Sequence, residues 1–482
     1  MVFNSVVFLF FLTIVLATYY RSRHRIQNVI LVIASYVFYG WWDWRFLGLL
    51  LFTTFFDYGC ARLIDATQNK KHRKWLLAFS MTMNLAVIGF FKYFNFFADG
   101  FEKVLTTFGM RADLPTLHVI LPLGISFYTF LSMSYTIDVY RRHLKAARNP
   151  LDFMLYVSFF PHLVAGPIMR AKDLLPQCSH PRVIQSDQVI TGIWLCLLGY
   201  LKKVVIADRL APFVDWSFSS GQSPFTDASS WLVLYAFAFQ IYGDFSGYSD
   251  IARGLSKLMG FELVQNFRAP YLVRNPAAFW RHWHISLSVW LRDYLYIPLG
   301  GNHFGSLTTF RNLMITMVLG GLWHGAGIAF LAWGLYHGLL LVIHRAWSSL
   351  KSSEADPTSD VAMPDVKASR MGSILAGILF FHITCIGWLL FRAGSVPADH
   401  SQWAVISSYL NTLWKPPVHL SGYTWPVLLL GTLALLLQWK HQAMDHFSQW
   451  SGRRQALSVA ATLTAIASFG VFDGSSFIYF QF

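Results

Sequence analysis

Apolar segments about as long as a membrane-spanning helix recur from one end of this 482-residue chain to the other. Crossing the hydrocarbon core of a bilayer takes about 20 apolar residues in helical form. Only 13% of the residues are charged, whereas about a quarter are charged in a typical soluble domain. We therefore predict an all-α polytopic integral membrane protein. The candidate segments are centred near residues 2–20, 28–42, 46–64, 75–97, 117–138, 151–168, 189–207, 229–243, 312–343, 373–391, 424–438 and 456–472.

Some of these segments are too short or too interrupted to cross a bilayer alone, so we expect roughly eleven transmembrane helices. We predict that they form a single membrane domain over residues 1–482. Its N-terminal body covers residues 1–345, with the catalytic core at about 240–345. A polar loop of mixed charge at 351–370 separates this body from the C-terminal helices at 373–482.

The basic residues, which give the chain a net charge of +14, fall in short clusters between apolar segments. They do not form a basic domain with interleaved aromatic residues, so we expect membrane lipid and no nucleic acid as a partner. Basic clusters of this kind are typical of cytoplasmic loops, and alternating segments would place three of them on one side, with the N-terminus on the other, outside the cytoplasm. These clusters are Arg21, Arg23 and Arg25; Lys70, Lys71, Arg73 and Lys74; and Arg141, Arg142, Lys145 and Arg148.

Charged residues are concentrated among aromatic ones between residues 240 and 312. Charge at membrane depth is tolerated only where protein or a water-filled cavity surrounds it. Pro270, Pro276 and Pro298 divide this region into short pieces, because proline interrupts a helix. We therefore expect re-entrant or interfacial helices around a transmembrane tunnel.

Two Trp-His pairs, Trp283-His284 and Trp323-His324, lie in or beside this region. An ionisable side chain at membrane depth is costly, so its presence calls for a functional explanation. Histidine is also the side chain best suited to move a proton near neutral pH. Both histidines are therefore candidate catalytic residues.

The first pair belongs to the segment Phe279–Asp293, which we predict to be one helix. Trp280, His284 and Ser288 would then share a face, while His282 would lie about 200° away from His284. Of these two histidines, only His284 would point at a common site, with Trp280 and Ser288 beside it. The alternative is a core histidine whose ring bonds a backbone carbonyl.

The second pair lies in Leu319-Gly-Gly-Leu-Trp-His-Gly-Ala-Gly327. Glycines around His324 would let a ligand or another backbone come close to it. Small residues also serve ordinary helix packing in membranes. We favour a functional role and predict that His324 is the general base, next to Trp323.

Asp244 follows an apolar run in Tyr242-Gly-Asp-Phe-Ser-Gly-Tyr-Ser-Asp250. It would orient a catalytic histidine or bind substrate, or else form a salt bridge with Arg281 or Arg292, and we favour the salt bridge. His162, within another apolar run, is interpreted as structural.

The sequence lacks the motifs that are typical of several other classes of enzyme. The sequence has no metal-ligand spacing, Walker A motif, dinucleotide fingerprint or Gly-x-Ser-x-Gly elbow, and its four cysteines are scattered. We therefore expect no metal and no bound cofactor. A histidine base in a membrane cavity suits acyl transfer, in which it takes a proton from a hydroxyl that attacks a thioester. Arginines on the cytoplasmic side would hold the phosphates of a coenzyme.

Four segments, at residues 244–250, 279–286, 290–302 and 319–325, resemble the membrane-bound O-acyltransferase (MBOAT) family. The resemblance is strongest to the branch that carries out bacterial alginate O-acetylation, and it covers nearly the whole chain. Supporting similarities lie at residues 1–5, 34–39, 120–128, 160–167 and 477–482.

The resemblance implies a helical fold around a tunnel, with His324 as the active-site histidine and His284 as a second functional histidine. Asp244, Trp280, Arg281, Ser288, Arg292 and Trp323 are the candidate substrate-binding or supporting residues. It further implies that acetyl from a cytoplasmic donor, acetyl-CoA, crosses the bacterial inner membrane. Periplasmic partner acetyltransferases of the SGNH or esterase-like type would then place it on an exported polysaccharide such as alginate.

The sequence departs from this branch in two ways, and the acceptor polymer stays open among alginate, cellulose, peptidoglycan and another glycan. Gly243 stands where this branch is expected to have an aromatic residue, and the chain is shorter than expected after residue 345. One alternative within acyl transfer is D-alanyl transfer to teichoic acids from a carrier protein. An alternative of another class is a membrane transporter or scaffold with structural histidines.

Overall fold

The structure, a computed structural model, describes residues 1–110, 119–219, 230–351, 370–396, 401–415, 422–472 and 477–478. Within these ranges the regular backbone is helical and contains no β-strand. The α-helices are α1 (Val6–Tyr20), α2 (His24–Gly40), α3 (Leu47–Ala66), α4 (Lys70–Thr107), α5 (Ile125–Tyr140), α6 (Pro150–Ser158), α7 (Phe160–Leu163), α8 (Ala171–Ser179), α9 (Ser186–Tyr200), α10 (Asp208–Ser219), α11 (Ser230–Leu258), α12 (Pro276–His282), α13 (Ile285–Leu291), α14 (Gly305–His324), α15 (Ile328–Lys351), α16 (Arg370–Ala393), α17 (Gln402–Thr412), α18 (Thr424–Trp439), α19 (His441–Asp445) and α20 (Gly452–Phe469).

Among the described residues, five helical stretches are long and apolar enough to cross a membrane. Two shorter apolar helices, α1 and α18, accompany them. The predicted all-α membrane protein is therefore confirmed, while the number of about eleven spans and the tunnel stay predictions. The five stretches are Trp44–Ala66, Lys70–Thr107, Ser186–Ser219, Ile328–Leu350 and Met371–Ala393.

The described residues pack into two compact units. Unit 1 comprises the described residues of Met1–Val204, Phe245–Gln265 and His446–Phe480, and unit 2 comprises those of Val205–Asp244 and Asn266–Asp445. The organisation into one domain with an N-terminal body and C-terminal helices stays a prediction. The predicted polar loop at 351–370 lies, apart from its two end residues, outside the described residues.

Unit 1 contains a packed group of α3, α4 and α5. Asp57 of α3 is fully buried, and its carboxylate accepts hydrogen bonds from Ser80 Oγ (2.6 Å) and Asn84 Nδ2 (3.0 Å) of α4. A buried carboxylate without such donors would be costly. The apolar helices of unit 1 are therefore joined by a satisfied polar contact as well as by packing.

Unit 2 contains a helical hairpin where we predicted one segment at 312–343. That prediction is wrong, because the chain reverses at residues 325–327 and produces α14 and α15 as antiparallel neighbours. A Cβ added at Gly321 would overlap the carbonyl oxygen of Phe330 and lie 3.1 Å from Gly334. Small residues let helix backbones approach closely in this way. The hairpin therefore depends on glycine at its crossing point, and it places His324 at the end of α14.

Candidate functional site

His284 lies at a break between two short helices, so our prediction of one continuous helix over Phe279–Asp293 is wrong. The helix α12 ends at His282 and α13 begins at Ile285, and His284 between them has φ 42° and ψ 53°, a left-handed conformation. Such a conformation is uncommon for a residue other than glycine and is maintained only by its surroundings.

Hydrogen bonds from a segment earlier in the chain maintain this break. The amide of Arg268 donates to the carbonyl of His282 (3.0 Å), and the amide of Ile285 donates to the carbonyl of Asn266 (3.0 Å). The Asn266 side chain also accepts from the amide of Ser286 (3.2 Å). Because these bonds replace those of a continuous helix, they position the backbone of His284.

The two histidines of this segment have different environments. His284 is 1% exposed, whereas His282 is half-buried and its Nδ1 lies 2.7 Å from the carbonyl of Ala278 in its own helix. The helices on either side of His284 have seven residues each, too few to cross a membrane. Burial lowers the pKa of His284 to about 3, because it disfavours the charged form, so its imidazole is neutral near pH 7. The greater burial of His284 therefore agrees with its selection over His282 as a candidate catalytic residue. The shared helical face on which the sequence argument relied does not exist.

His324 is the last residue of α14 and is 5% exposed. Its ring lies edge-on to three aromatic rings, with centroid distances of 4.9 Å to Trp323, 5.1 Å to Trp333 and 5.1 Å to Phe391. The ring of Trp323 also lies 6.2 Å from that of His284. Both candidate histidines therefore contact one indole ring, in one buried and mainly aromatic part of unit 2.

The glycines near His324 are explained by packing. A side chain at Gly321 would meet backbone atoms of α15, and one at Gly325 would overlap the ring of Phe330. A Cβ at Gly327 would lie 3.1 Å from the amide of Gln402. The sequence left open whether these glycines make room for a ligand or for another part of the protein. At these positions the structure shows close approach of another part of the protein.

Among the other candidates, Trp280 is half-buried and packs edge-on to Trp333 at 5.6 Å. Ser288 is half-buried, and its hydroxyl donates to the carbonyl of Trp283 at 3.4 Å. Neither residue shares a helical face with His284, because the helix is broken there. Only Trp280 of the two joins the aromatic cluster described above.

The charged candidates differ in their exposure. Asp244 is buried in α11, Arg281 is exposed, and Arg292 is exposed and pairs with Asp293 at 2.6 Å. The role of Asp244, as a salt-bridge partner or as a residue that orients a histidine or binds substrate, stays a prediction.

His162 belongs to unit 1, where it is 1% exposed and its Nε2 lies 3.1 Å from the carbonyl of Tyr156. This is the environment expected of a structural histidine.

A third buried histidine of unit 2 did not stand out in the sequence. His337 of α15 is 1% exposed, and its ring centroid lies 4.9 Å from Trp333 and 5.2 Å from Trp280. The criterion applied to His324, an ionisable residue inside an apolar segment, applies equally to His337. It was missed because no Trp-His pair or glycine cluster drew attention to it.

Comparison with known proteins shows similarity to membrane-bound acyltransferases. The sequence model of the membrane-bound O-acyltransferase family matches residues 31–363. The chain is 43% identical over 412 residues to the probable alginate O-acetylase AlgI of Pseudomonas aeruginosa, covering 85% of this chain and 75% of that protein. It is 35% identical over 425 residues to a peptidoglycan O-acetyltransferase of Helicobacter pylori (82% and 77%). It is 27% identical over 308 residues to a teichoic acid D-alanyltransferase of Streptococcus thermophilus (61% and 69%).

Proposed function

The chain belongs to the membrane-bound O-acyltransferase family, and from this premise we propose that it supplies acetyl groups for the O-acetylation of an exported polysaccharide. The acetyl donor is acetyl-CoA on the cytoplasmic side, and the group crosses the inner membrane through the protein. The two relatives with higher identity, both named for O-acetylation of a glycan, support acetyl over D-alanyl. Alginate is the proposed acceptor, in line with the more similar of the two.

The observation that carries this proposal is the contact of two buried histidines, His284 and His324, with the ring of Trp323. In the proposed reaction His324 accepts the proton of a hydroxyl while the hydroxyl oxygen bonds to the thioester carbon. The carbon–sulfur bond then breaks, and the proton passes to the departing thiolate. His284, neutral because of its burial, is proposed to hydrogen-bond the reacting group.

The remaining candidates have supporting roles. We assign Arg281 and Arg292, which are exposed, to the phosphates of the coenzyme, because guanidinium groups bind phosphate through paired hydrogen bonds. Asp244 and Ser288 stay candidates for positioning the histidines. A periplasmic acetyltransferase of the SGNH or esterase-like type is the proposed partner, and the N-terminus is proposed to lie in the periplasm.

We expect transfer of acetyl from acetyl-CoA in a defined assay. The protein would be reconstituted in vesicles with its cytoplasmic face outward. Labelled acetyl-CoA would be added outside the vesicles, and the periplasmic partner and the polysaccharide would be enclosed inside. Label should enter the polysaccharide with the wild-type protein, and not when the partner is omitted. Transfer only from an acyl carrier protein, and never from acetyl-CoA, would favour the D-alanyl alternative and contradict the proposed donor.

A further inference from the structure

His337 is enclosed by aromatic rings in unit 2. The ring of Phe279 is stacked on it with an interplanar angle of 10° and a centroid distance of 5.9 Å, while Trp280 and Trp333 lie at 5.2 and 4.9 Å. Gly387 of α16 leaves room for the imidazole, because a Cβ there would lie 2.8 Å from His337 Nε2. The packing around this position therefore accommodates a histidine ring.

The nitrogen atoms of this ring have no protein partner. Neither Nδ1 nor Nε2 of His337 has a hydrogen-bond partner among the described residues, and the same holds for the indole nitrogens of Trp280 and Trp333. Burying such groups without hydrogen bonds destabilises a protein, whereas a phenylalanine would fill the same space without that cost. Buried polar atoms of this kind call for an explanation, and a ligand bound during turnover is one.

These groups adjoin the proposed acyl-transfer site. The ring of Trp333 contacts both His324 and His337, with centroid distances of 5.1 and 4.9 Å. Trp280 lies four residues before His284 and contacts both Trp333 and His337. The three rings with unpartnered nitrogens are therefore neighbours of one another, and one of them, Trp333, contacts the candidate catalytic histidine.

The chemistry of these nitrogens indicates what they bind. An indole N–H only donates, and an imidazole can supply one further donor. A ligand shared by these nitrogens would therefore present a hydrogen-bond acceptor. In acyl transfer the carbonyl oxygen of the acyl group gains negative charge as the bond to the nucleophile forms, and fixed donors in a site without water stabilise that charge.

We propose that His337 is a further substrate-binding residue, which together with the indole N–H groups of Trp280 and Trp333 hydrogen-bonds the carbonyl oxygen of the acyl group. This inference rests on the proposed function and assigns a role within it to a residue that neither the sequence motifs nor the relatives' names indicate.

The test compares His337→Phe with His382→Phe. His382 is the matched control because both of its nitrogens have partners, the hydroxyl of Tyr235 (2.7 Å) and the carbonyl of Ile378 (2.8 Å). For His337→Phe we expect a melting temperature equal to or above that of the wild type and a kcat lowered by about a hundredfold, the effect of losing one such donor. For His382→Phe we expect a lower melting temperature and a kcat close to wild type.

A second variant, His337→Gln, restores a hydrogen-bond donor without the ring, and its kcat should exceed that of His337→Phe. Wild-type kcat in His337→Phe would overturn the inference and leave the proposed function intact. A fall in melting temperature as large as that of His382→Phe would also overturn it, because the nitrogens of His337 would then stabilise the fold. Absence of acetyl transfer by the wild-type protein would instead overturn the proposed function, and this inference with it.

Discussion

Replacing His324 with alanine is expected to lower acetyl transfer by at least about a hundredfold, the contribution typical of a positioned general base. The protein should remain in the membrane in its normal amount. The crossing of α14 and α15 depends on Gly321 and Gly334, and His324 lies beyond this crossing at the end of α14. Polysaccharide acetylation and membrane abundance, measured in the same cells, check this expectation.

His282→Ala is the matched control for this variant. His282 belongs to the same histidine-rich region, but it is half-buried and its ring contacts the backbone of its own helix. Acetylation close to wild type is expected. Retained acetylation in His324→Ala would remove the catalytic role of this histidine. Loss of polysaccharide export, rather than of acetylation, would favour a transporter.

The second large effect is expected at the crossing of α14 and α15. Gly321→Ala would place a methyl group against the carbonyl oxygen of Phe330 and the backbone of Gly334, neither of which can move without separating the helices. Overpacking of this kind costs about 1–3 kcal/mol and more where backbone must shift. Because His324 lies one turn further along α14, we expect loss of both thermal stability and acetyl transfer.

The neighbouring glycine provides the control. A Cβ at Gly320 would lie 3.3 Å from Leu291 Cδ1, the end of a flexible side chain, so Gly320→Ala should be stable and active. Melting temperatures of the two purified variants in detergent make the comparison. Equal stability of Gly321→Ala and Gly320→Ala would contradict the close packing described for this crossing.

Much of the fold could be predicted because membrane-spanning helices leave a local signal. Runs of apolar residues predicted an all-α membrane protein, and the two Trp-His pairs identified histidines that the structure places against the same ring, that of Trp323. These inferences succeeded because each depends on a short stretch of sequence and on the cost of polar groups in an apolar environment.

The errors arose where distant residues determine the local structure. The break at His284 depends on hydrogen bonds with Asn266 and Arg268, which lie 18 and 16 residues earlier, and no helical periodicity reveals them. The reversal after His324 was hidden because apolar sequence continues through it into α15. His337 was missed for a related reason, since its significance depends on rings contributed by other helices.

The central claim is that His284 and His324 act together in one site. The most direct test measures the single-turnover rate of acetyl transfer for His284→Ala, His324→Ala and the double variant. Residues that act as a unit have strongly non-additive effects, so we expect the double variant to be within about threefold of the slower single variant. A rate in the double variant that is lowered by the product of the two single-variant factors would contradict a shared site. A wild-type rate in either single variant would contradict it as well.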